Sequence, residues 1–187
     1  MKSDNIAICI ASGHSLTKED VDYCEGKGAI YVVNDTYKLA TFADVLYAAD
    51  SDWWEFHKGA DDFSGRKITC NEATAKEYGL EYVPCKQAAL WGGDDYIATG
   101  GNSGFQIVNL AELHGFNKIY LLGFDFGFTN KKHWFGDHHH SINRHSNYKE
   151  WIERFEKALP YIKANVVNCT PNSNLKCFLM ANLRDVL

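Results

Sequence analysis

No apolar run in this chain approaches a membrane span. The first, Ile6-Ala7-Ile8-Cys9-Ile10, gives five residues before a turn, too few for the apolar core of a signal peptide. Positive charge is not in excess either. A formal net charge of −5 over 187 residues leaves no broad basic footprint, so a general nucleic-acid-binding surface is not expected. CxxC pairs are absent: the six cysteines, Cys9, Cys24, Cys70, Cys85, Cys169 and Cys177, are scattered and read as buried thiols of a reducing, cytoplasmic compartment. Neither the dinucleotide fingerprint nor a Walker loop follows the first apolar run. What remains, with 45% hydrophobic and 23% charged residues, is the composition of one soluble globular domain covering 1–187. Aromatics, at 14%, are plentiful and gather beside Gly and Asp; this suits ring-lined pockets or a self-associating surface, and leaves a homo-oligomer open.

The best-defined stretch starts with small residues, Thr99-Gly100-Gly101-Asn102-Ser103-Gly104. It continues through Ile107, Val108, Leu110, Ala111 and Leu113 on more than one helical face, then Gly115 in C-cap position, then Ile119-Tyr120-Leu121-Leu122. A loop, a buried helix and a central parallel strand are predicted, and the strand delivers Asp125 within Gly123-Phe124-Asp125-Phe126-Gly127. The same pattern recurs upstream. Residues 6–10 form a strand emptying into Ala11-Ser12-Gly13-His14-Ser15-Leu16 before a helix near Thr17, and residues 29–33 a strand ending in Asn34-Asp35-Thr36-Tyr37. A third strand, Val45-Leu46-Tyr47-Ala48, leads to Asp50, Asp52, Trp53 and Trp54. Strands that repeatedly release polar residues at their carboxyl ends predict an α/β fold, a single Rossmann-like three-layer domain with a mostly parallel central sheet and its site on that rim.

Each loop also has a structural reading. Amides and hydroxyls of the first loop can receive phosphate or merely form a turn; Asn34 and Asp35 can orient a nucleoside or form an Asx turn. Asp50 and Asp52 have the D-x-D spacing that holds Mg or Mn against a diphosphate, though Asp52 as the N-cap of the following helix is the expected role. Residues 66–70 and 81–83 are expected as strands flanking a helix over 72–78. Ser146 or Asn147 should cap a helix carrying Trp151, Ile152, Phe155, Ala158, Leu159 and Ile162, interrupted or kinked at Pro160. Val166 and Val167 form a last strand, and 175–187 a closing helix with Phe178, Leu179 and Leu183 inward. Residues 128–147 form a His- and aromatic-rich loop. Its His138, His139, His140 and His145, with Asp137, are able to bind Zn²⁺, but three consecutive histidines match no standard spacing and a solvated loop is expected.

Taken in order, these loops resemble the bacterial lipooligosaccharide-type sialyltransferases and related Rossmann-like domains of unknown function often encoded by phages. Ala11-Ser12-Gly13-His14-Ser15-Leu16 is similar to the family's Gly-Asn-Gly-Pro-Ser-Leu loop. Asn34 resembles its nucleotide-contacting Asn, Asn102-Ser103-Gly104 its Thr-Ser-Gly helix start, and Gly123-Phe124-Asp125-Phe126 its Gly-Ile-Asp-Phe strand end. His133-Trp134-Phe135-Gly136 is similar to the His-Tyr-Ile-Gly segment bearing the catalytic histidine, and Thr170-Pro171-Asn172-Ser173 to a Cys-Pro-Asn-Ser turn. Ser12 and His14 replace the family's Asn and Pro, and the middle of the chain offers no match for the acceptor lid.

The resemblance implies a nucleotide-sugar-dependent glycosyltransferase with a CMP-linked donor, no required cofactor, and inverting single displacement. His133 would be the catalytic base. Ser12, Gly13, Ser15, Asn172 and Ser173 would face the phosphate, Asn34 and Asp35 would orient the nucleoside, Ser103 and Gly104 would complete the nucleotide site, and Asp125 would set a loop or touch the ribose. Two other readings stand beside it: a metal-dependent pyrophosphokinase of the pterin diphosphokinase type, using Asp50, Asp52 or Asp125, and a non-catalytic nucleotide-binding module of phage origin.

Overall fold

The structure, a computed structural model, describes residues 5–127, 131, 133–136, 139 and 146–187. The strands are β1 (Ile6–Ile10), β2 (Ala29–Val33), β3 (Val45–Tyr47), β4 (Arg66–Thr69), β5 (Glu81–Tyr82), β6 (Cys85–Lys86), β7 (Ile97–Ala98), β8 (Lys118–Leu122), β9 (Asn165–Asn168) and β10 (Leu179–Met180). The helices are α1 (Lys18–Tyr23), α2 (Ser51–Phe56), α3 (Glu72–Tyr78), α4 (Ser103–Leu113), α5 (Tyr148–Ala158) and α6 (Leu183–Val186). Eight strands form one sheet in the order β10-β9-β8-β1-β2-β3-β4-β5, and β6 pairs with β7 apart from it. Among the described residues every ladder between named strands is parallel.

Alternation along the strands feeds two cores. Ala7, Cys9, Tyr31, Val33, Ile119 and Leu121 face α4 and α5, whereas Ile8, Ile10, Ile30, Val32, Tyr120 and Leu122 face the layer of Val21, Trp53, Trp54 and Leu183. Both faces are covered, which is why the central strands read as unbroken apolar runs. The expected three-layer, Rossmann-like α/β arrangement is the one observed. Helix α4 lies under β1 and β2 with everything from Phe105 to Ala111 buried, and each fully buried Ile or Leu there contributes about 1.5–3 kcal/mol.

The chain builds outward from β1 to β5, then returns to place β8 on the other side of β1. Strand order therefore reverses between β1 and β8, and the cavity described below lies at their carboxyl ends.

Several local expectations are corrected. Asp50, not Asp52, occupies the N-cap position of α2, without a side-chain cap bond, and Asp52 sits in the first turn. The cap and break of α5 are as expected, Asn147 accepting from the Glu150 amide and the helix giving way near Pro160 to a 3₁₀ turn, Leu159–Tyr161, but α5 stops at Ala158, so Leu159 and Ile162 lie beyond it. Residues 175–187 are not one helix: the chain bends, adds the edge strand β10 and closes with the short α6. Phe178 and Leu183 are buried but Leu179 is 68% exposed. No helix among the described residues is long and apolar enough to cross a membrane.

Candidate functional site

The loops after β1 and β8 are locked to each other through backbone. Ala11 N–H donates to Leu122 O at 2.8 Å and Gly13 N–H to Gly123 O at 2.9 Å. Only glycine fits at this crossing: a Cβ on Gly13 would lie 1.7 Å from Asp125 Oδ2 and 2.3 Å from Gly123 O. One on Gly123, whose φ is +70°, would lie 2.5 Å from Ala11 O. Asp125, 6% exposed, braces the first loop. Its Oδ1 accepts from the Ser15 amide at 3.1 Å and faces His14 Nε2 at 3.3 Å, while Oδ2 packs against Gly13.

These bonds revise the expected phosphate cradle. The Gly13 and Ser15 amides are already engaged within the protein. The Ser12 hydroxyl, buried, pairs with Thr36 Oγ1 at 2.9 Å and reaches Val33 O at 3.4 Å. The first-turn residues Glu19 and Asp20 of α1 would repel an anion there. Ser15 lines a second, smaller cavity with Asp20, Asn182 and Arg184.

Helix α4 presents a better anion receptor to the crevice. Gly100 and Gly101, at φ +50° and +79°, turn the chain into it; Asn102 caps it by accepting from the Phe105 amide at 2.8 Å. Its first turn carries no acidic residue. The Ser103 and Gly104 amides have no intrahelical acceptor, and both residues line a cavity of about 290 Å³ at the strand-order reversal.

The same cavity is walled by Ser12, Gly13, Asn34, Asp125 and His133. Asn34 starts a 3₁₀ turn with φ +48°, holding it at the end of β2. His133 arrives from the segment after β8 and bridges to Gly13; the Trp134 amide donates to Ser12 O at 3.2 Å. Its ring stacks on Phe135 at 5.0 Å, and its Nδ1 lies 3.3 Å from Ser12 O. A carbonyl only accepts, so in this contact Nδ1 is the donor.

Besides Ser15, three expected residues lie elsewhere. Asp35 is buried behind the wall, accepting from Trp53 Nε1 at 3.1 Å and Lys38 Nζ at 2.6 Å and facing His57 Nε2 at 3.4 Å; it positions the Trp53 indole that lines the cavity. Ser173, fully buried, donates to Phe124 O and accepts from Asn168 Nδ2 and the Leu175 amide, both at 3.0 Å, so it shapes the end of β8. Asn172, exposed at φ +53°, does not line the cavity.

Asp50 and Asp52 do line it, but no group of three or more metal-ligating side chains occurs among the described residues. Of the histidine cluster, His138, His140 and His145 lie outside the described residues, as does Asp137; the His139 ring stacks 5.2 Å from Phe56. The aromatic wall of Phe126, Tyr148 and Trp151 was not foreseen as part of a site. Tyr148 and Trp151 are one helical turn apart with rings 5.5 Å apart, and Trp151 also packs on Phe126 at 6.3 Å. Their only sequence signal was aromatic spacing of three at the start of a helix.

No protein-family model matches the chain, and no curated protein matches it. Among solved structures it is similar to the MAf glycosyltransferase from Magnetospirillum magneticum AMB-1, with a TM-score of 0.67 and 12% sequence identity. The match covers 98% of this chain and 34% of that one, so the chain spans about a third of that protein's length. At this identity the likeness is one of fold.

Proposed function

We propose that this chain is a nucleotide-sugar-dependent glycosyltransferase domain of the sialyltransferase-like kind, acting in the cavity at the carboxyl ends of β1 and β8. The observation that carries the reading is the meeting, in one cavity, of His133, Asn34 and the α4 amino terminus, from three separate chain segments. The fold likeness to a glycosyltransferase supports it.

In this reading the donor phosphate sits at the Ser103 and Gly104 amides, where the helix dipole and two unpartnered N–H groups offset the charge that grows as the phosphate leaves. Asn34 meets the nucleoside. Nε2 of His133 takes the proton of the acceptor hydroxyl as that oxygen attacks the anomeric carbon, and the bond to phosphate breaks on the opposite face, inverting the centre. Phe126, Tyr148 and Trp151 give the sugar faces an aromatic wall that also excludes water. Gly13 and Asp125 act as the floor and its brace. The CMP-linked donor follows from the sequence resemblance, and six free thiols fit a cytoplasmic setting.

A second reading rests on Asp50 and Asp52 at the cavity wall. Two carboxylates together with ligand phosphate oxygens satisfy Mg²⁺ or Mn²⁺, and such an ion would neutralise a diphosphate, as pyrophosphoryl transfer requires. Thermal-shift titration with CMP, CDP, UDP, GDP and ATP, with and without Mn²⁺, separates the two. Stabilisation by a cytidine nucleotide without metal, with donor hydrolysis lost in His133→Ala while binding persists, supports glycosyl transfer. Stabilisation only with Mn²⁺ and ATP overturns it in favour of the second reading, and no nucleotide response overturns both.

A further inference from the structure

The wall that Trp53 gives the cavity is backed by a buried imidazole. His57 closes α2 one helical turn after Trp53, so the two rings share a face of the helix. The imidazole lies on the indole with centroids 4.3 Å apart and planes 36° from parallel. Its Nε2, buried and without a hydrogen bond among the described residues, faces Asp35 Oδ1 at 3.4 Å. The other Asp35 oxygen, Oδ2, accepts from Trp53 Nε1 at 3.1 Å. The indole N–H is thereby engaged behind the wall, and the side chain offers the cavity ring carbon only.

Neighbouring rings and a strained turn hold both in place. Tyr37 stands edge-on to each, at 6.0 Å from Trp53 and 6.3 Å from His57; Trp54 packs edge-on against Trp53 at 5.0 Å and Phe56 against His57 at 5.1 Å. Just beyond His57, Lys58 and Ala60, neither of them glycine, sit at φ +50° and +47° on either side of Gly59 at +73°. Such a turn persists only where surrounding contacts fix it. Here the Gly59 amide donates to Trp54 O and the Ala60 amide to His57 O, both at 2.9 Å, and Lys67 Nζ donates to Gly59 O at 3.0 Å.

We propose that His57 is a positioning residue for the cavity: through Trp53, on which it stacks, it fixes where the wall shared with Asn34 stands, and so the room left for the group that Asn34 meets. That this group is a nucleoside rests on the reading proposed above. His57 touches no reacting atom. Its ring is a flat spacer between the end of α2 and the indole, and taking the spacer away leaves a void into which the indole settles. The cavity then widens beside Asn34 and admits a larger base.

The test uses the whole chain labelled with 5-fluorotryptophan, followed by fluorine NMR; among the five tryptophans, Trp53→Phe assigns the Trp53 signal. Affinities for CMP and GMP are measured on the same samples. In the wild type, CMP should move the Trp53 signal. In His57→Ala that signal should shift before any ligand is added, while the signal of Trp91, which lies in the other core, stays. CMP should bind about fivefold more weakly, and the ratio of CMP to GMP affinity should fall by at least about threefold. A general loss of stability would lower both affinities alike. His57→Phe, which keeps a flat ring, should restore affinity and ratio to within about twofold. CMP that binds without moving the Trp53 signal, an unmoved signal in His57→Ala, a moved signal with both affinities intact, or a failed rescue by His57→Phe overturns the role of His57 and leaves the nucleotide reading standing. A wild type that binds neither nucleotide overturns the reading and this inference together. Should His57→Ala not fold, His57→Gln, which keeps bulk without a ring, answers under the same criteria.

Discussion

Replacing Gly13 by alanine tests the crossing of the β1 and β8 loops. One methyl group would be placed 1.7 Å from Asp125 Oδ2 and 2.3 Å from Gly123 O. The first is a side-chain atom that can swing away, at the cost of the Ser15 amide bond at 3.1 Å. The second is backbone, fixed by the 2.9 Å bond from Gly13 N–H itself. Relief therefore requires parting the two loops. Overpacking of this kind costs about 1–3 kcal/mol, and loosening one hydrogen bond adds about 1 kcal/mol. A total of about 3 kcal/mol lowers Tm by about 6–12 °C in a chain of this length. Gly26→Ala is the control: its φ is +74° with nothing within 4 Å, so only backbone strain of about 1 kcal/mol applies. Differential scanning calorimetry of both variants, and of Gly13→Ala combined with Asp125→Ser, reads the difference. The double variant should be less than additive yet still destabilised, because the Gly123 carbonyl remains. A Gly13→Ala chain no less stable than Gly26→Ala would refute the close-packed floor.

Other substitutions separate support from binding. Asn102→Ala should cost about 1 kcal/mol by urea denaturation and, if α4 receives the phosphate as proposed, weaken the nucleotide thermal shift, because the helix cap is lost. Ser173→Ala leaves Phe124 O, Asn168 and the Leu175 amide short of a partner and should cost about 2–4 kcal/mol. With nucleotide affinity in the surviving folded fraction unchanged within about twofold, as calorimetric titration would show, its role is support. Asp35→Asn weakens acceptance from the Trp53 indole and the pairing with Lys38; a red shift of tryptophan emission with weaker ligand binding is expected, and an unchanged spectrum would deny Asp35 its positioning role.

The central fold was legible because its signals are local. Strands β1 and β2 run over the residues whose apolar runs predicted them, and α4 starts at the small residues that precede its buried stripe. The placement of His133 beside the first loop was legible through the order of motifs. Which amides remain available for a ligand was not: the Ser15 N–H is taken by a carboxylate 110 positions away, and no local pattern carries that pairing. The C-terminal segment misled because Phe178 and Leu183 suggest a helical face, whereas β10 is a two-residue strand too short to show a period. Of the aromatic wall, Trp151 was read as part of a helical stripe, since a ring facing a cavity and one facing a packed layer share the same spacing.

The cleft has a floor of main chain and walls of side chains. Its base is two adjacent strand ends pinned by amide-to-carbonyl bonds, with glycines where they cross, while each wall arrives on its own length of chain. Such a division lets selection rewrite what the chain recognises one segment at a time. Exchanging the Tyr148 and Trp151 turn, or the residues that follow Asn34, alters preference for a guest molecule without disturbing the hinge-free platform beneath it.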